Sequence, residues 1–106
     1  MNIQFKKGVL ELCVLSLLSE RDHYGYELVK AISEHMIISE GTIYPLLRRL
    51  TKEKYCDTYL KESSEGPPRK YYRLTSLGLE SCKNLKLEWD RFTKNINDIV
   101  SSGRYM

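Results

Sequence analysis

The stretch Ser39-Glu40-Gly41-Thr42-Ile43-Tyr44-Pro45-Leu46-Leu47-Arg48-Arg49-Leu50-Thr51-Lys52 decides how this chain is read. Ser39 is a residue type that caps helix N-termini, and Ile43, Leu46, Leu47 and Leu50 recur at helical spacing to form a narrow apolar stripe. The other faces hold Thr42, Tyr44, Arg48, Arg49 and Lys52, so the exposed side of this helix is basic. Pro45 complicates it. Inside a helix a proline removes one hydrogen bond and costs ~3 kcal/mol, so the helix either kinks there or begins later, near Thr42.

Upstream, Val9, Leu10, Leu12, Cys13, Val14, Leu15, Leu17 and Leu18 cover nearly the whole circumference of a helix running from Phe5 to Leu18, which must therefore be buried on two sides. A second helix follows, with Asp22 or a neighbour as its cap. Leu28, Val29, Ile32 and Met36 fall on its inner face, and Glu27 and Lys30 on its wet side. Downstream, Tyr55 to Glu62 and Lys70 to Leu74 are β-prone and flank Ser63-Ser64-Glu65-Gly66-Pro67-Pro68. They predict a two-stranded hairpin with a protruding tip and with Arg69 and Lys70 at the base of that tip. Thr75 then caps a last helix on which Cys82, Leu85, Trp89, Phe92, Ile96 and Ile99 form a heptad seam, and such a seam needs a partner surface.

Composition narrows the function classes. With 106 residues the chain has room for one core, and 42% hydrophobic with 29% charged side chains is the balance of a folded soluble protein. The longest apolar stretch, Val9 to Leu18, is broken by Glu11 and Ser16 and is far shorter than the ~20 residues that span a bilayer. No membrane partner is expected. The N-terminus shows no signal-peptide pattern, which makes the cytoplasm the expected location. Cys13, Cys56 and Cys82 are far apart in apolar surroundings, and His23 and His35 would point ~120° away from each other on one helix, so neither a disulfide framework nor a metal site is expected. No nucleophile, base and orienting group come together, and the expectation is a protein without catalysis or cofactor.

The net charge of +3 is mild, but it is unevenly placed: residues 39–74 carry eight basic and five acidic side chains. An anionic partner would dock there. Helix, helix, basic helix, hairpin is the order of a winged helix-turn-helix, in which the third helix enters the major groove of double-stranded DNA and the hairpin reaches the neighbouring backbone. The expected architecture is mainly α with a two-stranded β-hairpin: a winged helix-turn-helix in residues 1–75 and a C-terminal dimerisation helix in residues 76–106. Ser39, Thr42, Tyr44, Arg48, Arg49, Lys52, Arg69 and Lys70 are the expected DNA contacts, through hydrogen bonds and charge. Winged helices also serve as protein-docking modules that never touch nucleic acid, and that is the competing expectation.

Three motifs carry a family resemblance: Tyr24-Gly25-Tyr26-Glu27-Leu28, Gly41-Thr42-Ile43-Tyr44-Pro45-Leu46-Leu47-Arg48-Arg49-Leu50, and Gly66-Pro67-Pro68-Arg69-Lys70-Tyr71-Tyr72-Arg73-Leu74-Thr75. Over about residues 5–100 the chain resembles the PadR family of bacterial transcriptional regulators, in its short subfamily with one C-terminal helix. That resemblance implies a dimeric, usually repressing, operator-binding protein, and a recognition helix that tolerates proline at position 45. Many relatives carry a further arginine in the hairpin tip where this chain has Pro67 or Pro68.

The all-round apolar first helix and the heptad seam both leave surface uncovered by a small core, and pairing two chains covers both. Cys82, Leu85, Trp89, Phe92, Ile96 and Ile99 are the expected homodimer contacts, setting two recognition helices about one DNA turn, ~34 Å, apart on a palindrome. In a multidrug-binding member of the resembled subfamily the tryptophan matching Trp89 stacks on flat aromatic ligands. The resemblance therefore implies a small aromatic effector held by Phe5, Gly8, Glu11, Leu12, Trp89 and Phe92, with Glu11 favouring cationic ligands. Packing alone is the plainer role for Trp89.

Overall fold

The computed structural model describes residues 3–105, with side chains from Gly8 onward. Four helices and three strands follow in the order α1 (Ile3–Glu20), β1 (His23–Tyr24), α2 (Gly25–Ser33), α3 (Glu40–Lys52), β2 (Cys56–Lys61), β3 (Arg69–Leu74) and α4 (Ser76–Ser101). The mainly helical winged helix-turn-helix with a C-terminal helix is thus present. The sheet has one strand more than expected: the two-residue β1 pairs antiparallel with β3, in the order β1-β3-β2. No helix among the described residues is long and apolar enough to cross a membrane, and among them no group of three His, Cys, Asp or Glu could hold a metal ion.

The core forms where the apolar stripes converge. Leu10, Val14, Leu15 and Leu18 of α1 meet Leu28, Val29 and Ile32 of α2 and Ile43, Leu47 and Leu50 of α3, closed by Cys56 and Tyr72 from the hairpin and Cys82 from α4. The first half of α4 therefore belongs to the same core as the winged helix-turn-helix. Gly78 shows how tightly: a Cβ there would collide with the Tyr55 carbonyl and the Leu74 side chain. Thr75 is the α4 cap as expected, accepting from the Gly78 N–H at 3.0 Å while its hydroxyl donates to the Lys54 carbonyl at 2.7 Å.

Two points that the sequence leaves open are fixed by the fold. Asp22 does not cap α2; the N-cap is Tyr24, whose N–H donates to the Glu27 carboxylate at 3.1 Å, and Asp22 instead accepts from the Tyr59 hydroxyl at 2.7 Å. Helix α3 begins at Glu40, directly after its N-cap Ser39, and continues through Pro45. The bond that Pro45 cannot donate would go to the carbonyl of exposed Gly41, which is open to water. At the other end the Lys54 and Tyr55 N–H groups donate to the carbonyls of Thr51 and Leu50, closing a Schellman turn with Lys54 left-handed at φ 66. That turn aims the chain straight into β2.

Candidate nucleic-acid interface

Residues three and four apart share a helix face, so Tyr44 and Arg48 lie together on the side of α3 that faces the hairpin. The hairpin register does the rest. Arg69 faces Lys61 and Tyr71 faces Tyr59 across β2 and β3, while β1 sets Tyr24 beside Tyr71. The result is a cleft of about 400 Å³ between α3, the start of α2 and the base of the wing, lined by Tyr24, Gly25, Tyr26, Tyr44, Arg48, Arg69, Lys70 and Tyr72. It brings together three cations and four phenols and no acid. Among the described residues, none of Arg48, Arg69 and Lys70 forms an ion pair with a carboxylate.

Each lining group is held in place by a contact. The Tyr44 ring lies so close over Gly25 that a Cβ there would sit 2.5 Å from it, which explains a glycine between two tyrosines. Burial, then the nearby Glu40 charge, pushes the Tyr44 hydroxyl above the usual phenol range, so it remains a protonated donor. Burial does the same for Tyr72. The Arg69 guanidinium lies over the Tyr24 ring, 4.6 Å from its centroid, and the Lys70 ammonium stands 5.8 Å from the centroid of the Tyr72 ring.

Of the expected DNA contacts, Tyr44, Arg48, Arg69 and Lys70 meet in this cleft. Ser39 and Thr42 stand outside it at the exposed start of α3, their hydroxyls 3.3 Å apart, and Lys52 is exposed in its last turn. Arg49 stands apart from these residues. Its guanidinium is engaged by Glu11 at 3.1 Å and Glu53 at 2.9 Å, on the face turned toward α1. Tyr24 and Tyr26 line the cleft as well, beyond the expected contacts, and their signal in the sequence is the glycine flanked by aromatics.

A second, apolar groove of about 170 Å³ runs between α1 and α4, lined by Gly8, Val9, Leu12, Leu85, Glu88, Trp89 and Phe92. It gathers four of the residues expected around an effector: Gly8, Leu12, Trp89 and Phe92, the two rings 6.2 Å apart. Phe5 lies outside the residues whose side chains are described. Glu11 does not line the groove, because it turns to Arg49; the acid on the rim is Glu88. Along the expected dimer seam, Cys82 is buried in its own protomer 3.6 Å from the Ser16 hydroxyl, whereas Phe92, Ile96 and Ile99 are exposed.

A helix-turn-helix with a cation-lined cleft between its second helix and a β-wing, extended by a long terminal helix, defines a winged-helix regulator. The chain belongs to the PadR-like family of transcriptional regulators, whose model matches residues 14–84. Among solved structures it is similar to a PadR-like transcriptional regulator from Bacillus cereus, at 44% identity and a TM-score of 0.85 over 95% of this chain and 99% of that one. A transcriptional regulator from Clostridium thermocellum matches at 36% identity and a TM-score of 0.81, over 94% and 98% of the two chains. An uncharacterized protein of Lysinibacillus sphaericus is 38% identical over 101 residues, 92% of each chain.

Proposed function

We propose that this protein is a dimeric, non-enzymatic repressor of the cytoplasm that binds a palindromic DNA operator and is released by a planar aromatic effector. The observation that carries the DNA reading is the cleft between α3 and the wing, where Arg48, Arg69 and Lys70 converge with no carboxylate among the lining residues. A site of that composition suits a backbone phosphate: the cations supply charge, and the Tyr24, Tyr26 and Tyr44 hydroxyls supply neutral donors. With the wing and the helix both anchored there, Ser39, Thr42 and Lys52 meet the duplex along the exposed length of α3.

The dimer reading rests on Phe92, Ile96, Ile99 and Val100, which α4 exposes beyond the protomer core. The effector reading rests on the groove that sets Trp89 and Phe92 against Gly8 and Leu12, and Glu88 on its rim moves the preference for cations from Glu11 to that residue.

Fluorescence anisotropy of labelled genomic fragments over a salt series tests the operator reading. Affinity is expected to fall steeply with salt, and Arg48→Ala to weaken binding about tenfold and flatten the log-log slope by roughly one unit. Salt-insensitive or absent DNA binding would favour the protein-docking module instead.

A further inference from the structure

Arg49 and Glu11 sit 38 residues apart, one on the basic face of the recognition helix and one in the apolar first helix, and the fold joins them in an ion pair of 3.1 Å. Glu53 holds the second nitrogen of the same guanidinium at 2.9 Å. One positive and two negative charges leave this group net negative. Two of the guanidinium's N–H donors are thereby taken, and a phosphate brought to the others would be repelled by both carboxylates. Its neighbour Arg48 carries no such encumbrance.

The surroundings of the pair are as telling as its charge. Beside it lies a cleft of about 220 Å³ lined by Leu10, Thr42, Pro45, Leu46 and Arg49. Pro45 also leaves the first turns of α3 one hydrogen bond short. The ion pair thus lies at a cleft between α1 and α3, beside the proline turn of α3. On α1, Gly8 lies three residues before Glu11 and Leu12 one after it, and both line the groove against α4. Glu11 is therefore attached to the wall of the groove and reaches away from it, to α3.

We infer that Arg49 is a positioning residue: the Glu11–Arg49 pair transmits the placement of α1, set by what fills the α1–α4 groove, to the recognition helix, and Arg49 makes no DNA contact. This rests on the operator-binding reading for its consequence, but the tie itself can be measured without DNA.

Gly8 supplies the handle, since a Cβ built there meets nothing within 4 Å. Gly8→Phe places a ring in the groove without any added ligand, and Gly8→Leu replaces it should the larger side chain prevent folding. In 15N-1H spectra of the full chain, this filling is expected to shift the amides of residues 46–52, and Glu11→Ala is expected to remove at least half of those shifts. Equal shifts with and without Glu11, or none at all, would overturn the inference. The second arm is the salt series on operator DNA. Arg49→Gln is expected to leave the slope of log affinity against log salt unchanged, where Arg48→Ala lowers it by roughly one unit. A unit lost on Arg49→Gln would mark it as a phosphate contact and end the proposal. A wild type that binds no DNA would defeat the operator reading alone, and the spectra would still decide the tie.

Discussion

The two halves of α4 carry one uninterrupted heptad pattern and do different work. In the first half, Gly78 lies against the Tyr55 backbone and Cys82 sits in the core beside Ser16, so that half is part of the chain's own core. In the second half the same register places Phe92, Ile96 and Ile99 at 40%, 42% and 70% exposure. Periodicity reports that a face is apolar; it does not report whose surface covers it. What separates the halves is geometry: from Gly8 onward, α1 lines its groove with α4 as far as Phe92, and α4, roughly 39 Å long, continues beyond it.

This contrast can be broken from either side. The largest effect is expected at Gly78→Ala, whose methyl group collides with main chain that cannot yield; a loss of about 3 kcal/mol, or roughly 15 °C in Tm, should appear in thermal melts followed by circular dichroism. Trp89→Glu, at the boundary between the halves, should leave a folded monomer by sedimentation, with operator affinity lower by about a hundredfold, because it sets an unpaired charge in the seam. Ile96→Glu, wholly in the outer half, should keep the helical spectrum of the protomer and raise the dimer dissociation constant about tenfold, measured by dilution. Smallest of the four, Thr75→Ala removes the cap at the inner end and should cost about 1 kcal/mol with the oligomeric state unchanged.

Much of this fold was legible because its signals are local. The Ser39 start of α3, the Thr75 cap, the hairpin between Tyr55 and Leu74 and the four helical stripes each depend on residues within a few positions of one another. The missed strand β1 is two residues long, too short for any alternation to show. The partners of Asp22 and Glu11 were hidden for another reason: Tyr59 and Arg49 lie 37 and 38 positions away, and only the folded chain brings them close. The same holds for the cleft. Arg48, Arg69 and Lys70 could be named as cations from their residue types, but the contribution of Tyr24 and Tyr26 depends on how α2 enters beside the wing. Glu88 reaches the groove rim for the same reason, since its place there is set by how α1 and α4 pack.

The two-residue strand β1 has one more consequence. It places β3 in the middle of the sheet, with His23 and Tyr24 on one side and β2 on the other. The loop at residues 64–68 is exposed, and a proteolytic cut there would divide the chain into two fragments. Each fragment would still own a strand bonded to the other, with the turn between α1 and α2 stapled across the break. A nicked molecule should therefore migrate as two pieces under denaturing conditions and as one intact body in native buffer.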